Sequence, residues 1–238
     1  MAEPAPVKRF YKEVAVEPAG DGWRVTLDGR GIKTARAAPQ IVPSRALAEA
    51  MAAEWASQGE EIDPSAFFLR DLADYAIDIA TVDPAAEIPA ILRYAETDTL
   101  CYRADPDEAL YQRQHDLWEP LLTDIEARHG LSFERVSGIL HRPQPPETLG
   151  RLKALLEAQD PFTLAATRTL ASLAASLVVG LAALDEGADA GKLWAAANAE
   201  EDWQAEQWGW EWTAEEKRAR KLAEFARAME FARLARAR

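Results

Sequence analysis

The sequence predicts an α+β protein: a small antiparallel β-sheet followed by a long helical remainder. Two observations carry this. Residues 10–42 hold short runs of aromatic and β-branched residues separated by turns rich in Gly and Asp. From Pro64 onward, apolar residues recur at helical spacing almost to the end. Strands gathered at one end and helices at the other suit an α+β arrangement. The expected division is a small α+β domain over residues 1–80 and a helical domain over 81–238.

Phe10 to Val16 reads as a first strand, and Pro18 to Gly22 supplies a turn. Trp23, Val25 and Leu27 alternate with polar residues, as a half-buried strand requires. Asp28-Gly29-Arg30-Gly31 marks a tight turn, because Asp and Gly tolerate positive φ. Ile32 to Thr34 is expected to return antiparallel, and Gln40 to Val42 to add a further short strand. Ser44 is the N-cap candidate of a helix whose stripe is Leu47, Met51, Glu54, Trp55 and Gln58, with Gly59 ending it.

In the helical part, Phe67, Phe68, Leu72, Tyr75, Ile79 and Val82 suit a core helix. Pro84 and Pro89 bracket an expected linker before a segment from Ile91 to Tyr102. Asp107 to Arg128 is a long amphipathic stretch containing Pro120 and closed by Gly130. Pro143 to Pro146 reads as a stiff surface connection, and Leu149 to Ala158 as a short helix. Asp160-Pro161 opens the most apolar helix, in the preferred order of N-cap and first-turn proline. Its Arg, Thr and Ser content makes Phe162 to Leu184 a buried helix rather than a membrane span. Ser172, Ser176 and Gly180 form a small-residue stripe that predicts close helix packing.

The chain has 238 residues, 48% of them apolar and 28% charged, so a sizeable core is possible and disorder is not indicated. A formal net charge of −13 argues against sequence-independent nucleic-acid binding, which needs cations to displace counterions. The single cysteine, Cys101, cannot form an internal disulfide and suits a reducing compartment. No targeting segment is visible in MAEPAPVKRF, and membrane insertion is not expected. Charge is unevenly spread. Residues 186–216 carry nine acids and one base, whereas 217–238 carry eight bases and two acids. The basic end reads as a helix whose cations offset neighbouring acidic surface.

The most unusual composition lies between Glu200 and Trp212, where four tryptophans and five carboxylates share thirteen residues. At helical spacing, Trp194, Glu201, Gln204 and Trp208 fall on one face. Large rings beside an acid and an amide are the material of recognition surfaces. One alternative is a helix end whose rings cap a core while its acids stay wet; another is that Glu201 caps or pairs inside the bundle and holds the helices together. Glu54, Trp55 and Gln58 repeat the same combination of acid, Trp and amide in the first domain.

Catalytic motifs are scarce. There is no Walker-type loop, no GxGxxG after a strand and no GxSxG elbow. His115, His129 and His141 have no metal-ligand spacing, and one cysteine cannot build a thiolate site. Cys101 reads as a small buried thiol. Carboxylate pairs leave open a hydrolase acting on a small polar metabolite.

The motifs together resemble a known family: the assembly chaperones for the soluble catalytic head of F-type ATP synthase, specifically those that bind the α subunit. The matching segments are Lys8-Arg9-Phe10-Tyr11, Val25 to Arg30, Lys33-Thr34, Leu47 to Trp55 with Gln58, and Ile62-Asp63-Pro64. Further on come Tyr94 to Tyr102, Gln114 to Pro120, and Glu201-Asp202-Trp203-Gln204 leading to Trp208-Gly209. One departure is Thr34-Ala35, where the family usually has Thr-Pro, which predicts a looser turn.

The resemblance implies an orthogonal helical bundle after the first domain, no ATP, metal or redox cofactor, and no catalysis. It implies a bacterial cytoplasmic chaperone, expected as a monomer. This chaperone would bind an unassembled ATP synthase α subunit, shield its β-subunit interface and leave on assembly. The residues assigned to that surface are Glu201, Gln204 and Trp208, with Trp203, joined by Glu54, Trp55 and Gln58.

Overall fold

The first strand begins and ends later than the sequence pattern suggests, and the third is only two residues long, placed where the pattern predicts a turn. In a computed structural model, which describes residues 7–138, 141–209 and 212–237 but not the side chain of Trp212, β1 is Val14–Ala19, β2 is Gly22–Leu27 and β3 is Arg30–Gly31. They form an antiparallel sheet in the order β1-β2-β3, with Val14 opposite Leu27 and Leu27 opposite Arg30. Asp28 and Gly29 both have positive φ, as a two-residue hairpin between right-twisted strands requires. Phe10 lies outside the sheet and is 68% exposed. The expected strand at Gln40 to Val42 is reduced to an isolated bridge between Trp23 and Val42.

Helix α1 (Arg45–Ala56) packs on β1 and β2, and the Ser44 hydroxyl caps it by accepting the Leu47 N–H at 3.0 Å. α2 (Phe68–Tyr75) continues into a π-helical stretch, Ala76–Ala80. Of the residues expected inside, Phe67 and Leu72 are buried, joined by Leu69, Ala73, Ala76 and Ala80, whereas Phe68, Tyr75 and Ile79 are half-buried and Val82 is 73% exposed. Small residues at these positions let the π turn lie close to its neighbours. Residues 1–82, with 161–165 and 230–238, make one unit; 83–160 and 166–229 make the other.

The second unit is helical: α3 (Pro84–Glu96), α4 (Ala109–His129), α5 (Pro146–Glu157), α6 (Pro161–Ala174, from Ala166 on), α7 (Leu177–Ala182), α8 (Ala190–Ala197), α9 (Ala199–Trp208) and α10 (Trp212–Ala235, up to Met229). A small antiparallel sheet at the N-terminal end followed by helices is the α+β class that the sequence predicts. α4 packs against α7, α8 and α9, and α3 against α5 and α7. Trp118, Leu122 and Ile125 of α4 are fully buried in this core. The expected linker at Pro84 to Pro89 is instead the first turns of α3, with Asp83 as N-cap and Pro84 in the first turn. A pair of two-residue parallel strands, β4 (Tyr102–Arg103) and β5 (Val136–Ser137), carries no sequence signal.

The apolar stretch from Phe162 to Leu184 is two helices, not one. Ala175 adopts φ 48°, and Ser176 restarts the chain as the N-cap of α7. Gly180 then lies against α6, where a Cβ would meet the Ala171 backbone at 3.1 Å. Of the expected stripe, only Gly180 makes this close approach; Ser176 caps α7 and Ser172 is exposed. Among the described residues, no helix is long and apolar enough to cross a membrane.

The restart is held by Asp98, which has no exposed surface. Its carboxylate accepts the backbone N–H groups of Leu100 at 3.1 Å and Val178 at 3.0 Å. Burial pushes its pKa up from 3.8 to about 6, against the lowering effect of these bonds and the Ser176 hydroxyl. A carboxyl raised in the fold contributes fully below its unfolded value, and that contribution is lost as pH rises through about 6. The stability of the native chain relative to Asp98→Asn is therefore expected to fall by on the order of 3 kcal/mol between about pH 4 and pH 7, as read by urea denaturation.

Candidate functional site

The tryptophan-rich run bends at Asn198, whose φ of −113° and ψ of 23° end α8 and start α9. The break divides the expected face between two helices but does not disperse it. Trp194 from α8 and Glu201, Gln204 and Trp208 from α9 line a single open groove of about 440 Å³. The facing wall comes from α10 and carries Lys217, Arg218 and Lys221. Trp210 and Glu211, also part of the tryptophan-rich run, lie outside the described residues.

α9 has two working faces. Glu200, Trp203 and Glu206 belong to the side towards α4. Gln114 donates to Glu200 at 2.7 Å, and Arg113 bonds Glu206 in a two-pronged pair at 2.5 and 2.7 Å. The Arg113 guanidinium also lies 5.7 Å from the centre of the half-buried Trp203 ring. Burial raises the Glu200 carboxyl, with Glu201 adding to the effect against the Gln114 bond. The Arg113 bond draws Glu206 below the usual carboxylate range. Trp203 therefore joins α9 to α4, and does not line the groove.

The opposite face is less engaged. Among the described residues, Glu201 and Gln204 make no side-chain hydrogen bond or ion pair, and Trp208 is 80% exposed. Trp194 is the contrast: only 1% exposed, it packs 5.6 Å from Phe225 of α10. Asp202 bridges to Arg218 at 2.5 Å and ties α9 to α10 beneath the rim. Among the described residues, the groove therefore presents one carboxylate, the amides of Asn198 and Gln204, and the rings of Trp194 and Trp208 opposite three cations. The sequence reading of the 201–208 face omitted the cationic wall. The switch from acids before residue 216 to bases after it was the available signal.

In the first unit, Glu54, Trp55 and Gln58 are turned inward, with 6%, 6% and 5% exposure. Glu54 accepts the N–H groups of Leu69 at 2.7 Å and Arg70 at 2.9 Å, satisfying the start of α2. Gln58 accepts the Asp63 N–H at 2.7 Å, and the Trp55 carbonyl accepts the Tyr11 hydroxyl at 2.6 Å. The Ala35 departure gains a bond. Its N–H donates to Asp74 at 3.2 Å, which a proline could not do, so the turn is tied down there rather than loosened.

Among the described residues, no group of three His, Cys, Asp or Glu side chains is placed to hold a metal ion. Cys101 is fully buried, and burial pushes its thiol upward in pKa, as an unreactive core cysteine requires.

Residues 8–126 match the model of the ATP12 chaperone protein family, which covers half of the chain. The chain belongs to the ATP12 chaperone family. This is the family of ATP synthase assembly chaperones that its motifs resemble. Atp12 from Paracoccus denitrificans superposes with a TM-score of 0.90 at 35% identity, over 97% of this chain and 99% of that one. The Atu1473 protein of Agrobacterium tumefaciens gives a TM-score of 0.90 at 37% identity, over 95% and 85%. Mitochondrial atp12 of Schizosaccharomyces pombe is 25% identical over 184 residues, covering 72% of this chain and 63% of its own length. The ATP12-family sequence thus spans under two thirds of that yeast protein.

The two acids in the Glu-Trp-amide combinations are expected to behave oppositely in thermal unfolding. Glu54→Gln removes an acceptor from a buried helix start and costs about 1–3 kcal/mol, a fall in Tm of several degrees. Glu201→Gln, on an exposed face, shifts stability by less than about 0.5 kcal/mol.

Proposed function

We propose that this chain is an assembly chaperone that binds the unassembled α subunit of the F-type ATP synthase head, covers the surface destined for the β subunit, and leaves when β arrives. A cytoplasmic site of action and a monomeric state belong to the same reading. The observation that carries it is the α9–α10 groove, where an exposed Trp208 stands beside Glu201 and Gln204 with no partner of their own. Family membership supports the class of activity.

The physics suits a holdase. An unassembled subunit exposes surface made for a neighbour, and a standard interface buries about 1,600 Å². Trp is among the residues that most often dominate such contacts, because its ring gives area with little conformational freedom to lose. Glu201 and the α10 cations supply orientation and faster encounter rather than large net affinity. Trp194, Asp202 and Arg218 would hold the groove in shape, and Trp203 would hold α9 against α4. Glu54, Trp55 and Gln58 would contribute by fixing the first unit, since the Glu54 and Gln58 side chains and the Trp55 carbonyl are engaged there. Release needs no nucleotide step if β competes for the same client surface. The hydrolase alternative would require two facing carboxylates, whereas among the described residues Glu201 is the one acid lining the groove and cations oppose it.

The test is co-expression of tagged protein with the cognate α subunit, alone and then with β. The expected result is a soluble complex with α that dissolves on adding β. Trp208→Ala is expected to weaken the complex by about 2 kcal/mol, roughly thirtyfold, with unchanged thermal stability. Aggregation of α as if the chaperone were absent would end this reading.

A further inference from the structure

The first unit carries a second cavity, of about 530 Å³, between the sheet and the segment that precedes it. Its walls are Phe10, Tyr11, Leu27, Ile32 and Trp55, and its rim holds Asp28, Arg30 and Lys33. We propose that this cavity docks an acidic peptide segment of the client, one in which a carboxylate sits beside a large apolar side chain. The inference rests on the reading that the chain binds client protein, and adds a site distinct from the α9–α10 groove.

Three observations carry it. The first is an aromatic residue left at the surface. Phe10 is 68% exposed, yet its ring meets Tyr11 edge-on at 5.3 Å between centres, which gives it a defined place beside the cavity. Single exposed apolar residues are ordinary, but one lining a cavity of ligand size is not explained by chance exposure.

The second is an unused donor. Trp55 lines the cavity and is 6% exposed, and its indole N–H meets no acceptor among the described residues. The rest of the residue is engaged: its carbonyl accepts from Tyr11, and its ring packs against Tyr11 and Phe67. A buried N–H without an acceptor costs about 1–3 kcal/mol, and this one is closed to solvent, so an arriving carboxylate or carbonyl oxygen meets it only where the ring turns towards the cavity.

The third is charge. Arg30 and Lys33 are exposed and form no ion pair among the described residues. Asp28, the nearby acid, accepts the N–H groups of Glu13 at 2.8 Å and Lys12 at 3.0 Å and keeps its charge, so the two cations leave the rim positive on balance. In a chain of net charge −13, two such cations beside an apolar cavity favour an anionic segment locally while the whole surface repels unspecific acidic chains. A bare anion would leave the aromatic wall unused, and a purely apolar segment would leave the cations unmet.

The experiment follows the indole N–H resonance of Trp55, assigned by its loss in Trp55→Phe, in isotope-labelled native protein. The probes are a blocked Leu-Asp-Phe-Leu peptide and the same peptide with Asn in place of Asp. The expected result is a saturable shift of the Trp55 resonance with the acidic peptide, weakened at least about tenfold for the Asn peptide. In the Arg30→Glu/Lys33→Glu protein that preference disappears; both positions are exposed, and an unchanged melting temperature confirms the fold. Lys33→Gln, a milder change, is expected to reduce the preference in part.

A Trp55 resonance unmoved by either peptide overturns the proposal. So does an equal response to both peptides, or a response confined to the resonances of Trp194 and Trp208. The peptide readout does not involve the α subunit. A silent Trp55 in protein that still holds α soluble removes this site alone, whereas a responding Trp55 in protein that fails to hold α removes the chaperone reading and leaves the cavity as an acidic-peptide site.

Discussion

Because a helix begins with N–H groups that have no intrahelical acceptor, burying its start requires an acceptor from elsewhere, and in both units a carboxylate supplies it. Glu54 does this for α2 and Asp98 for α7. Asp74 and Asp78 extend the device to the turn after the sheet, accepting from Ala35 and Arg36. Each places a group that prefers water inside the protein, and each is tolerated because the donors it meets would otherwise be orphaned. Several acids of this acid-rich chain are thus internal structural parts, which is why sequence proximity among forty acids is a poor guide to a site.

The candidate groove follows from the same economy of donors and acceptors. α9 has one face consumed by Arg113 and Gln114 of α4 and another left to face α10. Glu206 and Glu200 are spoken for, so Glu201 is the carboxylate that remains open beside Trp208. Asp202, adjacent in sequence to Glu201, is a half-buried strut to Arg218. Three consecutive acids therefore have three different duties, set by which helix each one faces.

Much of the fold was legible beforehand. The Asp28-Gly29 turn, the Ser44 cap, the Gly130 stop and the long α4 are local features, fixed by dihedral preference and hydrogen-bonding chemistry within a few residues. Where the reading missed, a tertiary constraint had overridden a local rule. Proline at 89 lies inside α3, past the first-turn N–H groups that have no acceptor, so the helix there forgoes one regular i→i−4 bond that the local rule would have kept. The run from Phe162 to Leu184 splits at Ala175, whose positive φ no alanine announces. The restart that follows is supported by Asp98, nearly eighty residues earlier in the chain. β4 and β5 are too short to show any alternation at all.

For the site, the sequence by itself determined the chemistry: a face of Trp, acid and amide at helical spacing, and a change of charge sign at residue 217. It also determined the family, because ordered motifs spread along the chain carry more information than any single one. The tertiary structure decided which of those residues remain available. Glu54, Trp55 and Gln58 look in sequence like Glu201 and Trp208, yet their polar groups are largely turned to the sheet and to α2. Glu201, Gln204 and Trp208 keep theirs, and face a cationic wall from α10. The reason is physical: composition sets what a side chain can bond, but only packing sets which partners arrive first.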